Sequence, residues 1–487
     1  MTGDSRLLTE PGTLASFPPG FAWGAATAAY QIEGSAREGG RGRSIWDTFS
    51  HTPGATFHGD NGDVACDHYR LWEQDLGVIS DLGLTAYRMS VSWARLQPGG
   101  VGPLNATAVA HYRTVLEGLH ARGVRPFVTL YHWDLPQELE DAGGWPQRDT
   151  AQRFAEYAAA VVRELGDLAD DWITLNEPWC SAFLGYGAGR HAPGRHDVRD
   201  AVAAGHHLNL AHGLALQAIR AARPAARVGV AHILTDLLPS SAREDDVAAA
   251  RRMDANNNRF FLDPLLRGGY SRDVHQLYDE YGLAEVELPG DAELIRAPID
   301  FLGLNHYHRQ FVSADPAVPV LGATSVAAEP ASTAFGWSIT PPGLLSVLRR
   351  VSQEAPGLPI HITENGASFH DYPGPDGHVR DPERIAYLDG YLSAAADAIA
   401  EGVRLEGYFA WSLLDNFEWG EGYSQRFGLV YVDYRTQDRI PKESAAWYRE
   451  VISLHAQMVG QDHPHVEQAE TASLTPDRSE GRAVSPE

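Results

Sequence analysis

Two glutamates stand where a pair of carboxylates could act on one bond. Glu177 follows Thr174-Leu175-Asn176 and precedes Pro178, and Glu364 follows Ile362-Thr363 and precedes Asn365-Gly366. Each closes a short strand-like run against a chain-breaking residue. Taken singly, either one reads as a solvated loop acid. Taken together, a catalytic pair is an equally good reading, in which one carboxyl attacks or activates water and the other protonates a leaving oxygen, the machinery of glycosidic bond cleavage. Aromatic and amide groups gather at similar places: Tyr131-His132-Trp133-Asp134, Leu304-Asn305-His306-Tyr307, Trp411, Asn416-Phe417-Glu418-Trp419, and Gln31 with Glu33. Polyhydroxylated rings need this mixture, because hydroxyls take polar partners and the apolar ring faces take Trp or Tyr surfaces. Trp411 and Trp419, beside Glu418, read as ligand contacts, whereas Trp23 and Trp93 read as core. Arg88, inside a strand-like run, needs a buried partner. A carboxylate of the pair would serve, and so would any buried acid.

The elements that must position these groups alternate. Strand patterns at Phe21–Ala26, Ala86–Trp93, Pro126–Tyr131, Trp172–Asn176, Val228–Ile233, Ile299–Leu304, Ile360–Thr363 and Leu405–Trp411 are each followed by a helical pattern. The helices are expected at Tyr69–Leu82, Thr107–Arg122, Thr150–Leu165, Val202–Ala222, Val247–Leu262, Pro342–Ser352, Pro382–Glu401 and Ser444–His455, with Asp381 placed to cap the seventh. Eight such pairs imply a parallel sheet closed into a single (β/α)8 barrel of the α/β class. In that architecture the βα loops carry the chemistry, and both glutamates sit at strand ends, on the fourth and seventh strands, which face each other across the mouth. Residues 1–15 are expected to be flexible, 16–456 to form the catalytic barrel, and 457–487 to be a disordered polar tail, since the tail has too few large apolar groups to offset its ordering entropy.

Composition narrows the partners. The chain has 487 residues, 44% apolar and 21% charged, with a net charge of −25. That charge repels phosphate backbones and anionic lipid, so neither nucleic acid nor a membrane surface is an expected partner. Lys442 is the only lysine. The two cysteines, Cys66 and Cys180, lie far apart and make neither a disulfide framework nor a zinc site. The sequence shows no HExxH or similar ligand spacing, no GxGxxG after a strand, no phosphate-binding loop and no Gly-x-Ser-x-Gly elbow. No metal and no cofactor is expected. Met1–Ser16 has no basic stretch leading into an apolar segment, and no apolar run reaches a membrane span, so the expected compartment is cytoplasmic.

These motifs resemble those of glycoside hydrolase family 1, the β-glucosidase family, over about residues 17 to 455. The resemblance is carried by Phe17-Pro18-Pro19-Gly20-Phe21-Ala22-Trp23-Gly24 with Gln31-Ile32-Glu33-Gly34, by Thr174-Leu175-Asn176-Glu177-Pro178, by Ile362-Thr363-Glu364-Asn365-Gly366, and by Asn416-Phe417-Glu418-Trp419 with Arg426-Phe427-Gly428-Leu429. It implies a retaining β-glycosidase with Glu364 as nucleophile and Glu177 as acid/base. It further implies that Gln31, His132, Asn176, Glu418 and Trp419 hold the non-reducing sugar above a Trp411 platform. Tyr307 and Arg88 would contact the nucleophile, with Asn305 in the same shell, and Trp337 would face the aglycone. Trp133 and Phe427 would support the site. His306 stands where many members have Tyr, which bears on aglycone contacts. Plant thioglucosidases resemble this chain but carry Gln in place of the acid/base, whereas Glu177 is present here. The 6-phospho-glycosidases use Ser and Lys in the loop that here holds Glu418, whose charge would repel a phosphate dianion. The implied substrates are therefore unphosphorylated β-glucosides such as cellobiose and aryl or alkyl glucosides. A homo-oligomer is compatible with the sequence.

Overall fold

A computed structural model describes residues 11–326 and 332–460. Eight parallel strands close into a barrel: β1 Ala22–Ala26, β2 Ala86–Ser90, β3 Arg125–Tyr131, β4 Asp171–Asn176, β5 Arg227–Ile233, β6 Phe301–Asn305, β7 Ile360–Asn365 and β8 Leu405–Trp411. Each pairs with its neighbours in sequence order. The ring closes between the first and last strands, where Ala22 lies opposite Gly407 and Ala26 opposite Trp411. The strands are buried on both faces, which is why they read as apolar runs rather than as alternating ones. Within the barrel, Phe127, Phe301, His361 and Phe409 make a ring layer with centroids 4.9–6.1 Å apart. Arg125 and Arg227 lie over the Phe127 and Phe301 faces of that layer.

The strand–helix order expected from the sequence is the observed one, with differences at the edges. β2 ends at Ser90 rather than Trp93, because Ser92 opens a helical turn, Trp93–Leu96, that buries Trp93. β7 runs on through Glu364 to Asn365, so Glu364 belongs to the strand. The expected helix Val247–Leu262 is two helices, Glu244–Asp254 and Phe260–Arg267, joined by the π-helical turn Ala255–Arg259. Two small sheets carried no periodic signal. One joins the strands Asp236–Pro239, Arg309–Ala314 and Ala323–Val326; the other is the hairpin Val430–Asp433 with Asp438–Pro441. Near the N-terminus, Pro11–Leu14 forms a helical turn whose Leu14 is fully buried, so order begins before residue 16. The last helix, Glu443–Val459, extends past residue 457. The expected flexible segment 1–10 and tail 461–487 lie outside the described residues.

Asp381 precedes the helix Pro382–Ala400 but does not cap it with its side chain. Its carboxylate accepts instead from the Ser444 N–H (2.8 Å) and Oγ (2.5 Å) at the start of the last helix, and pairs with Arg384. Ser444, at the next helix's own orphaned N–H groups, competes for the same acceptor. Around it lies a buried ion network. Lys442 Nζ donates to Asp371 (2.5 Å) and Asp415 (2.8 Å), Arg384 reaches Asp371, and Arg426 reaches Asp415. Asp415 also accepts from the Gly428 N–H at 2.9 Å within the segment after β8, and its bond from Lys442 ties that segment to the start of the last helix. Lys442→Met would leave a carboxylate excess in this enclosed site. The expected outcome is a loss of about 3 kcal/mol of stability, read from the denaturant midpoint.

Candidate active site

The nucleophile candidate is held by a cation and a phenol. Glu364, fifth residue of β7, is 3% exposed. Its Oε1 accepts from Arg88 Nη1 and its Oε2 from the Tyr307 hydroxyl, both at 2.6 Å. Arg88 comes from β2 and has every edge used: Nη1 also donates to the Thr363 carbonyl (3.0 Å), Nη2 to Asn176 Oδ1 (2.6 Å) and Nε to Thr129 Oγ1 (3.3 Å). Of the two partners the sequence left open for Arg88, the structure supplies the mouth carboxylate. Burial pushes the Glu364 carboxyl up, while the Arg88 guanidinium and the Tyr307 hydroxyl pull it back toward the ionised form. Tyr307 is itself located from behind, since the Tyr387 and Tyr391 hydroxyls donate to its carbonyl at 3.2 and 2.7 Å. Gly366, two residues on, has to be Gly because a Cβ there would lie 1.8 Å from the Trp411 carbonyl oxygen.

The second carboxyl has different neighbours. Glu177 is the first residue after β4, with φ +44° and its N–H donating to the Ala231 carbonyl (2.8 Å). Asn305 Nδ2 donates to its Oε1 at 2.8 Å, and Cys180 Sγ lies 3.1 Å from its Oε2 as donor. No cation bonds to it among the described residues. Burial, and then the charge of Glu364, push it up to about 8. Two carboxyls in one water-poor pocket are thus driven apart, with a cation on one and neutral groups on the other, which is how an acid and a nucleophile are assigned at a single pH.

Both open onto one cavity of about 710 Å³. Its lining includes His132, Trp133, Trp411, Glu418 and Trp419, and also Trp179, Tyr307, His308, Phe335, Trp337 and Phe427. Trp411 and His132 are near-parallel, 5.9 Å between centroids, and Trp133 packs 4.5 Å from Trp419. Trp133 (φ +75°) and Trp419 (φ +52°) share with Glu177 the left-handed backbone region, which costs a non-glycine residue on the order of 1–3 kcal/mol and persists where the surroundings over-determine it. His132 is fully enclosed, and burial, with Arg88 nearby, keeps it neutral at physiological pH. Its Nε2 accepts from Asn176 Nδ2 (3.0 Å), so the remaining proton sits on Nδ1, which is buried and has no partner among the described residues. Glu418 is pushed up to about 8 by burial and by the charges of Glu364 and Glu177.

Four expected site residues do not line the cavity. Arg88, Asn176 and Asn305 form the layer beneath it. Gln31 is buried, with Nε2 donating to Asn416 Oδ1 (3.0 Å) and the Phe417 carbonyl (2.8 Å), while its Oε1 is unpaired. Glu33 also faces away, bonded to Arg95 (2.8 Å) and the Tyr112 hydroxyl (2.6 Å). His306 does not line the cavity: its ring is buried, Nδ1 lies 2.8 Å from the Leu234 carbonyl, and its neighbour is Tyr391. The histidine beside Trp337 on the cavity wall is His308, stacked at 5.1 Å. The sequence marks Trp179 only as one of six tryptophans near strand ends, and gives no site role to Cys180, His308 and Phe335, although each lies within three residues of a motif residue, nor to Tyr387 and Tyr391.

The family model for glycosyl hydrolase family 1 matches residues 13–457. The chain belongs to glycosyl hydrolase family 1. Among the relatives of this family 1 chain, β-glucosidase A of Thermotoga maritima is 46% identical over 437 residues, spanning 90% of this chain and 97% of the relative. Thermostable β-glucosidase B of Thermobispora bispora is 49% identical over 441 residues, 90% of each chain. Among solved structures, the psychrophilic β-glucosidase of Micrococcus antarcticus superposes with a TM-score of 0.89 at 44% identity, covering 92% of this chain and 99% of that one. The T. maritima β-glucosidase in complex with deoxynojirimycin gives 0.88 at 45% identity, covering 90% and 99%. Family 1 enzymes are retaining glycosidases with two catalytic glutamates, and this chain is a glycoside hydrolase of that family.

Proposed function

We propose that this family 1 enzyme removes terminal non-reducing β-D-glucosyl residues from cellobiose and from aryl or alkyl glucosides, with Glu364 as nucleophile and Glu177 as acid/base. The observation that carries the reading is the opposite treatment of two buried carboxyls on one cavity wall: Glu364 is gripped by Arg88 and Tyr307, and Glu177 by Asn305 and Cys180. Ionised Glu364 attacks the anomeric carbon as the bond to the leaving oxygen breaks, and the Glu177 proton passes to that oxygen. A covalent glycosyl-enzyme results. Water then attacks the same carbon, gives its proton to Glu177, and releases Glu364. His132, Glu418 and Trp419 would hold the sugar hydroxyls over Trp411, with Gln31 supporting the Asn416–Glu418 loop from behind, and Trp337 with Phe335 and Trp179 would take the aglycone. Ionised Glu364 on that wall, with no lysine beside Glu418, speaks for a neutral sugar rather than a phosphorylated one. Cellobiose as substrate places the reaction at the end of cellulose breakdown. The buried free thiols Cys66 and Cys180 suit the cytoplasm as its compartment, and no described helix is long and apolar enough to cross a membrane.

The direct test is turnover of cellobiose and of a nitrophenyl β-D-glucoside, with the first-formed glucose anomer read by proton NMR. β-Glucose is the expected product, and α-glucose would overturn retention. The pH dependence follows from the two carboxyls. Glu177 has to enter the first step protonated, so kcat/KM should fall as pH rises through about 8, and it should fall again in acid as Glu364 takes up its proton. A profile of kcat/KM for cellobiose from pH 4 to 10 checks this. An alkaline limb near pH 5 would assign the proton to another group.

A further inference from the structure

The hydrogen bonds around Glu177 distinguish its two oxygens. Arg88 can only donate, so the Asn176 atom facing its Nη2 is the amide oxygen. That oxygen also faces Asn305 at 3.0 Å, so the Asn305 atom there is the amide nitrogen. The opposite end of the same amide then accepts from the Thr363 hydroxyl at 2.6 Å, a rotor that suits either end, so the orientation is set by the chain from Arg88. The second N–H of Asn305 therefore points at Glu177 Oε1, at 2.8 Å. An oxygen that accepts from an amide N–H in that geometry has no room for a proton of its own on that side. The other oxygen, Oε2, faces the Cys180 thiol. The turn in which the Cys180 N–H donates to the Glu177 carbonyl (2.9 Å) opens the π-helical segment Cys180–Gly187 and brings the thiol back onto the carboxyl three residues before it.

We propose that Asn305 and Cys180 together select Glu177 Oε2 as the oxygen that carries the transferable proton, with Cys180 as a positioning residue that serves both protonation states. The inference rests on Glu177 being the acid/base. Asn305 can only donate toward Oε1 and so keeps that oxygen bare throughout. The thiol is a rotor with a donor and a weak acceptor. While Glu177 is the acid, Sγ lies beside a protonated Oε2 whose hydrogen points to the leaving oxygen. After the transfer, the S–H turns to donate to the ionised Oε2 and holds it for the attacking water. Burial and the neighbouring carboxylate push the Cys180 thiol well up, so it keeps its hydrogen across the working range. The charged or titratable groups facing this pair are Glu364, Arg88, Tyr307, Glu418 and Arg190, together with the neutral rings of His132 and His191. None of them bonds to Oε2 among the described residues.

The test compares wild type with Cys180→Ala and Cys180→Ser. With an alkyl glucoside, whose leaving group needs the proton, the alkaline limb of kcat/KM should move up by about half a pH unit in Cys180→Ala, because a donor to the carboxylate form is lost. Cys180→Ser should bring the limb back to, or below, the wild-type position. With a dinitrophenyl glucoside, whose leaving group needs no proton, the water step limits, and Cys180→Ala should lower kcat about 3- to 10-fold. Thermal midpoints of the variants identify any that fail to fold, and Cys180→Ser carries the comparison if Cys180→Ala does not. A limb that stays in place in both variants, or a uniform loss with both substrates at every pH, overturns the proposal. Glu177→Ala with added azide separates the premise from the inference. Formation of β-glucosyl azide keeps Glu177 as the acid/base whatever Cys180 does, whereas its absence removes the premise and the inference with it.

Discussion

Glu364→Gln should abolish turnover of every β-glucoside, with a loss on the order of 10⁵-fold in kcat. The side chain keeps its size and still offers an oxygen to Arg88 Nη1, so the cavity and the barrel should be unchanged. What goes is the negative charge that attacks the anomeric carbon. Two effects reinforce the loss. The amide cannot form a glycosyl ester, and Arg88, 1% exposed with its remaining donors on Thr363, Asn176 and Thr129, faces a neutral partner. Removing one member of a buried pair leaves the other uncompensated, so a lowered thermal midpoint accompanies the lost activity. The check is nitrophenolate release by wild type and variant side by side, with mass spectrometry after a 2-fluoro-glucosyl probe. Wild type should gain the mass of one sugar and the variant none. A variant that still turns over within tenfold of wild type would transfer the nucleophile to another carboxyl, with Glu418 the next one on the wall.

Glu177→Ala should divide substrates by their leaving groups. Where the departing oxygen needs a proton, as with cellobiose or an alkyl glucoside, kcat/KM should fall 10²- to 10⁴-fold, the usual worth of a placed general acid. With a dinitrophenyl glucoside the first step should be nearly intact and the covalent enzyme should accumulate, because the base for the second step is missing. The alkaline limb near pH 8 should vanish with the side chain. Stability should change in the opposite sense to that of Glu364→Gln. Glu177 is buried with no cation of its own and sits in the left-handed backbone region, so its removal relieves the crowding of two carboxyls. A rise in the thermal midpoint alongside the fall in activity is the expected pair of results, and equal losses on all leaving groups would argue against the acid role.

The parts of this molecule that were legible before its structure share a cause. Barrel strands are buried on both faces, so they appear as short apolar runs punctuated by helices, and counting them placed Glu177 and Glu364 on the fourth and seventh strands. Groups whose role depends on an adjacent residue in the chain, such as Glu364 before Asn365-Gly366, were also visible. Groups whose role depends on distant partners were not. Nothing in the sequence says that Asp381 spends its carboxylate on Ser444 rather than on its own helix, that Gln31 turns its amide nitrogen toward Asn416, or that His306 faces Tyr391 while His308 meets Trp337. The strand Ala86–Ser90 was read three residues too long because Val91 and Trp93 are apolar for a different reason: both are buried where the chain leaves the strand, and Trp93 starts a helical turn and packs against Phe154 and Tyr157. The strand Asp236–Pro239 was missed because four residues show no period.

The closure of the barrel between its first and last strands has a consequence for how the site comes into being. Gln31 follows β1, and its partner Asn416, with Phe417 and Glu418, follows β8, 385 residues later in the chain for the Gln31–Asn416 pair. The end of the cavity that carries Glu418 and Trp419 therefore straddles the seam. Helices and individual strand pairs along the chain can form from neighbouring segments, but this pocket cannot exist until the two extremities of the ring have found each other, the most distant strand pairing in the barrel and so the slowest of them to be made. Catalytic competence is accordingly acquired all at once and late. During biosynthesis or refolding, the appearance of glucoside cleavage marks the moment the ring shuts, well after most secondary structure is in place.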